Sequence, residues 1–100
     1  MDGEFEALVA EVVLLCPWMR EADVEAVRAV FSAHFGRVAG QAVDLGRMAG
    51  LLLGLAQHAE AAGDVRRAWT FDQWYGWACA SMRGEEYHWP ELPQELAGLP

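Results

Sequence analysis

Lysine is absent from this chain and serine and threonine nearly so, with Ser32, Ser81 and Thr70 the whole set. So few hydroxyls leave little for serine- or threonine-based nucleophilic catalysis, and no serine stands in the strand-to-helix elbow that such a nucleophile uses. Cys16 and Cys79 are the only cysteines and form no CxxC pair, which excludes a zinc knuckle and a dithiol redox motif and leaves packed, reduced thiols. No glycine-rich phosphate loop follows a strand, and no His-Glu-x-x-His occurs. Positive charge is scarce: seven Arg face fifteen Asp and Glu, for a formal net charge of -8. Affinity for a phosphate backbone comes from dense positive charge displacing counterions, so direct nucleic-acid binding is not expected. The acids are scattered along the chain, which suits solubility first and a basic protein partner second.

Long apolar runs are missing as well. The longest, Met48 to Ala56, is about half of what spans a bilayer. The start, Met1-Asp2-Gly3-Glu4, lacks the basic region and apolar run of a secretory signal, so a cytoplasmic location and no membrane association are expected.

What is abundant is apolar bulk. Hydrophobic residues make up 54% of the 100 residues, including five Trp, four Phe and two Tyr. That length fits a single domain with a modest core, and that composition excludes disorder. No stretch alternates like a strand and no fixed-period repeat is present. The expected fold is all-α: a compact bundle of about four helices forming one domain over 1–100, with its core at about 4–83 and a proline-containing C-terminal tail at about 84–100.

Phe5, Leu8, Val9, Val12, Val13 and Cys16 recur at the helical i, i+3, i+4 rhythm, and Pro17 ends that helix. Leu14 projects on the opposite side. Asp23 reads as the N-cap of a second helix carrying Val24, Val27, Val30, Phe31, His34 and Phe35 along one face, with Gly36 as its stop. A third helix, from about Gly40 to Ala62 and ending at Gly63-Asp64, carries two stripes. Leu45, Met48, Leu51, Leu52, Leu55 and Ala59 form the apolar one, and Gly46, Gly50 and Gly54 lie nearly opposite. Glycine in a helix interior costs about 0.8 to 1.0 kcal/mol against alanine, so the spacing points to close approach of another backbone there, as a helix-packing or dimer surface.

The fourth segment is dense in rings: Trp69, Phe71, Trp74, Tyr75 and Trp77. Thr70 and Gln73 have the spacing of a capping box and Trp69 with Trp74 that of a hydrophobic staple, which predicts a helix start near Phe71, with a short turn over 64–67 before it. On such a helix Phe71, Trp74, Tyr75 and Trp77 fan over roughly 160°, wider than the stripe that a surface helix usually buries. Some ring is then expected at the surface, and Trp69, Phe71, Trp74, Tyr75, Trp77 and the tail's Trp89 are the candidate partner-binding residues, because Trp and Tyr dominate the centres of interfaces. The alternative is that these rings are all core. In the tail, Leu92, Leu96 and Leu99 fall at helical spacing, so a last short helix can lie on the body or on a partner.

The histidines carry little chemistry. His34 sits on the apolar face of the second helix near its end, where it is best read as a packed residue favoured by the helix dipole, and His58 lies beside Gln57 and Glu60 on the polar side of the third. Glu85 and His88 make a single Glu-x-x-His, whereas a di-iron bundle needs two such pairs and further glutamates. Neither metal nor cofactor nor catalytic residue is expected.

The stretch Leu52, Leu55, Ala56, Ala59, Gly63-Asp64 and Ala68 resembles part of a tetratricopeptide repeat across its inter-helix turn. The resemblance covers about a quarter of the chain, without a second copy and with Asp72 where that family has an aromatic, and it implies a helical hairpin.

The reading that these features favour is a non-catalytic protein-binding regulator, adaptor or inhibitor, one that docks on a larger protein and suits an antitoxin, an immunity protein or a phage anti-defence protein covering a basic nucleic-acid site. Homodimerisation is compatible with it. The alternatives are a structural subunit of a larger assembly, and a small helical enzyme or metal protein whose site forms across a dimer from His34, His58, His88 and nearby acids.

Overall fold

The computed structural model describes residues 2–16, 18–35 and 44–99. Among them are five helices and no strand: α1 (Asp2–Leu15), α2 (Glu21–Phe35), α3 (Leu45–Ala61), α4 (Val65–Met82) and the single turn α5 (Gln94–Ala97). The fold is all-α, and about four substantial helices is what the periodicity predicts. The chain divides into two compact units, Met1–Asp44 and Leu45–Pro100.

In the first unit Val9 and Val12 of α1 are buried, with Cys16 just after the helix. The stripe is narrower than expected, because Val13 is exposed, and Leu14 is 84% exposed on the far side. Burial pushes the Cys16 thiol up to about 12, which keeps it protonated and unreactive. The helix α2 begins at Glu21, so Asp23 lies inside its first turn and is not the N-cap. The N–H groups of Asp23 and Val24 both donate to the Arg20 carbonyl at 3.1 Å. Glu21 and Ala22 extend the helix readily, and acids in a first turn complement the helix dipole. Val24, Val27 and Phe31 are buried and Val30 half-buried, as the periodicity predicts. Pro17 and Gly36 lie outside the described residues, as do the side chains of Phe5, His34 and Phe35. Arg28 ties α2 to α1: its Nε donates to Glu6 at 2.9 Å, and it also pairs with Glu25. The guanidinium holds the Glu6 carboxyl below its usual range.

The second unit is built on the hairpin of α3 and α4, which pack on each other. The turn between them is fully specified by its hydrogen bonds. Gly63 takes a φ of 79°, open to glycine at little cost. Its N–H donates to Glu60 O at 3.0 Å, and that of Asp64 to Ala59 O at 2.9 Å, which together make a Schellman close. Asp64 then caps the next helix, its carboxylate accepting from the Arg67 N–H at 3.1 Å. One residue thus serves as the last of one helix ending and the first of the next beginning.

The start of α4 at Val65 corrects the one predicted near Phe71. Thr70 is not a cap: it is buried mid-helix, with its hydroxyl donating to Arg66 O at 3.0 Å. The amide of Gln73 points instead to Tyr87, so the Thr-x-x-Gln spacing is a coincidence on a continuing helix.

The α3 residues buried are Met48, Ala49, Leu52, Ala56 and Ala59, while Leu45, Leu51 and Leu55 are half-buried. Its buried face is therefore turned towards the alanines. The predicted start at Gly40 lies outside the described residues. Substituting Asp64→Ala removes the cap and is expected to lower the unfolding free energy by about 1 kcal/mol, read from urea denaturation. An unchanged midpoint would restore the later helix start.

Candidate functional site

Three of the rings of α4 face inwards. Trp74 is 0% exposed, Phe71 1% and Trp77 6%. These three are core side chains and, in this conformation, are withdrawn from any partner. Trp69, Tyr75 and Trp89 remain half-exposed.

The wide fan is accommodated because α4 is covered on more than one side within its own unit. The helix α3 packs on it, and the chain after Gly84, instead of trailing away, returns along another side. Gly84 takes a φ of 70° and closes α4 as Gly63 closes α3, its N–H on Ser81 O at 3.1 Å and that of Glu85 on Ala80 O at 2.9 Å. Tyr87 then donates its hydroxyl proton to Gln73 Oε1 at 2.7 Å. Trp89 lies 6.5 Å from Trp77, and Tyr87 meets Trp89 edge-on at 4.9 Å. Trp77 in turn meets Trp74 edge-on at 6.4 Å. Edge-on pairs at such distances add about 0.5 to 1.5 kcal/mol each beyond area burial.

Two residues that pattern reading missed make this contact possible. Gly76 leaves a notch: a Cβ there would stand 2.9 Å from Tyr87 Cε1. Tyr87 fills it. The available signal was an isolated glycine inside a ring-dense helix, which often marks close packing.

The outer face of α3 is the reverse case. Gly46, Gly50 and Gly54 are exposed, and a Cβ built on Gly50 or Gly54 meets nothing within 4 Å. Leu53, beside them, is 37% exposed. No described helix crosses closely at Gly50 or Gly54.

The polar groups are largely in structural use. Glu6 and Glu25 serve Arg28, Glu85 pairs with Arg83, and Asp64 is a cap. His58 and His88 are exposed, on α3 and on the returning segment. That segment is not helical over 85–93, so Glu85 and His88 do not share a helix face. Among the described residues no group of three His, Cys, Asp or Glu gathers at metal-binding distance. Both cysteines are free, and a side-chain hydrogen bond between Tyr75 and Cys79 raises the phenol above its ordinary range. A cleft of about 520 Å³ at the α3–α4 turn is lined by Ala62, Gly63, Asp64, Val65, Arg66 and Leu99. Buried Arg66 donates from Nη1 to Ala97 O at 3.4 Å beside it.

No protein-family model matches this chain, and neither a characterised protein sequence nor a solved structure matches it. Among the described residues no helix is long and apolar enough to cross a membrane.

Desolvation, and then the nearby Glu60, hold the Asp72 carboxyl above its usual range. The folded state therefore binds that proton more tightly than the unfolded chain. Ionised Asp72 costs stability at neutral pH, and the cost is relieved as pH falls through its folded pKa. Asp72→Asn is expected to stabilise at pH 7 by up to about 0.5 kcal/mol, the range of surface changes, with the gain vanishing in acid. Thermal melts across pH check this; a gain that grows in acid would reverse the sign.

Proposed function

We propose that this chain is a non-catalytic protein-binding module, a small acidic helical regulator, adaptor or inhibitor that docks on a larger protein through the outer face of α3. The observation that carries this reading is the open space at Gly50 and Gly54. Two glycines in the interior of α3 cost about 2 kcal/mol together, and among the described residues nothing packs at Gly50 or Gly54 to offset that cost. A backbone from another molecule approaching the same face does, with Leu53 supplying apolar contact at its edge. This reading moves the binding surface away from Phe71, Trp74 and Trp77 and leaves half-exposed Trp69, Tyr75 and Trp89 outside its centre.

A net charge of -8 favours a basic partner surface. The finer form of the proposal is therefore a cytoplasmic inhibitor covering the nucleic-acid site of another protein, as an antitoxin, immunity protein or phage anti-defence protein does. The space at Gly50 and Gly54 would let two copies of this face approach closely, so a homodimer through α3 is the second reading.

The test combines stability with capture. Gly50→Ala and Gly54→Ala should each stabilise the isolated protein by about 0.8 to 1.0 kcal/mol, because neither methyl meets a neighbour. Affinity capture from the native host should recover a protein with the wild type, and at least tenfold less of it with the double variant Gly50→Leu, Gly54→Leu. Equal recovery by both would refute docking on this face, and light scattering of both proteins separates the homodimer from capture of a different chain.

A further inference from the structure

Beyond the hairpin, the returning segment has features of a moving part. We propose that residues 85–99 form a hinged strap over α4, latched by Tyr87 in the notch at Gly76, and that this strap opens as a unit while the α3–α4 hairpin stays folded.

The strap is held unevenly along its length. At the near end the turn at Gly84 fixes it, with Glu85 N–H on Ala80 O at 2.9 Å. In the middle, the Tyr87 ring fills the notch so closely that a Cβ on Gly76 would lie 2.9, 3.0 and 3.1 Å from Cε1, the hydroxyl oxygen and Cζ, while that hydroxyl reaches Gln73. At the far end the hold is thin. The short helix α5 has no buried residue, Arg66 of α4 reaches Ala97 O only at 3.4 Å, and Leu99 stands at the edge of the cleft by the α3–α4 turn. Glu85 pairs with Arg83 at the near end, while Glu86, Glu91 and Glu95 are exposed along the rest of the strap.

A second, independent feature favours opening. The Trp89 indole N–H is buried and has no acceptor among the described residues, although a buried donor normally finds one. The closed strap thus keeps that donor from water, and lifting the strap lets water satisfy it. Opening uncovers the row Gln73, Gly76 and Trp77 on α4 and frees Tyr87 and Trp89 with it. Closed, the same contacts withhold those rings, so the latch governs access to the aromatic side of α4 independently of the glycine face of α3.

Indole hydrogen exchange measured by NMR on the intact chain tests this, because Trp89 reports strap opening and Trp74 the core of the unit. In the wild type the Trp89 indole should exchange at least about tenfold faster than that of Trp74, as expected where local opening precedes global unfolding. Gly76→Ala, which puts a methyl where Tyr87 sits, should speed Trp89 by a further tenfold or more and leave Trp74 unchanged. Tyr87→Phe, which keeps the ring and loses the bond to Gln73, should act in the same direction by less. Equal exchange of Trp74 and Trp89 in the wild type would overturn the proposal, as would a Gly76→Ala variant that leaves Trp89 unchanged or speeds both together. Should Gly76→Ala fail to fold, the wild-type comparison and Tyr87→Phe decide.

Discussion

A helix that carries rings over a wide arc can be buried only if more than one neighbour covers it, and α4 imposes that demand on the second unit. Trp74 is wholly buried with Phe71 and Trp77 close to it; α3 packs against the helix, and the returning strap supplies Tyr87 and Trp89 on another side. The features around it follow from this need. The chain must reverse at once after α4, which the left-handed Gly84 allows. A bulky ring must fit against a bulky helix, which the missing side chain at Gly76 allows.

The glycines of α3 stand in the opposite relation to the fold. Those at 50 and 54 accommodate nothing within the described structure, while the small residues that α3 does bury are Ala49, Ala56 and Ala59. Helix propensity alone would place alanine at all of these positions. The use of alanine where the hairpin closes and of glycine where it faces outwards is the physical basis for assigning the outer face to another molecule.

Much of the architecture was legible from periodicity. The buried Val9, Val12, Cys16, Val24, Val27 and Phe31 fall at helical spacing, and Gly63-Asp64 marked the end of α3. The start of α4 was not legible, because Asp64 has two roles and Thr70 with Gln73 imitates a cap that the continuing helix does not need. The burial of Phe71, Trp74 and Trp77 was not legible for a related reason. Counting rings around one helix shows that a single neighbour cannot hide them, but the second cover came from a segment whose prolines mark it as a tail. Only the pairing of Gly76 with Tyr87, distant in sequence and without periodic signal, would have revealed it. For the glycine stripe, spacing showed which side it occupies but could not show that the described residues leave space at Gly50 and Gly54.

The central claim is this inside-out arrangement of the hairpin, rings inward and glycines outward. NMR relaxation by a soluble paramagnetic probe, on dilute protein, tests it most directly. The account predicts strong relaxation of the Gly50 and Gly54 α-protons and near-silence of the Phe71, Trp74 and Trp77 ring protons. Protected glycines with strongly relaxed rings would contradict it and return the partner surface to α4.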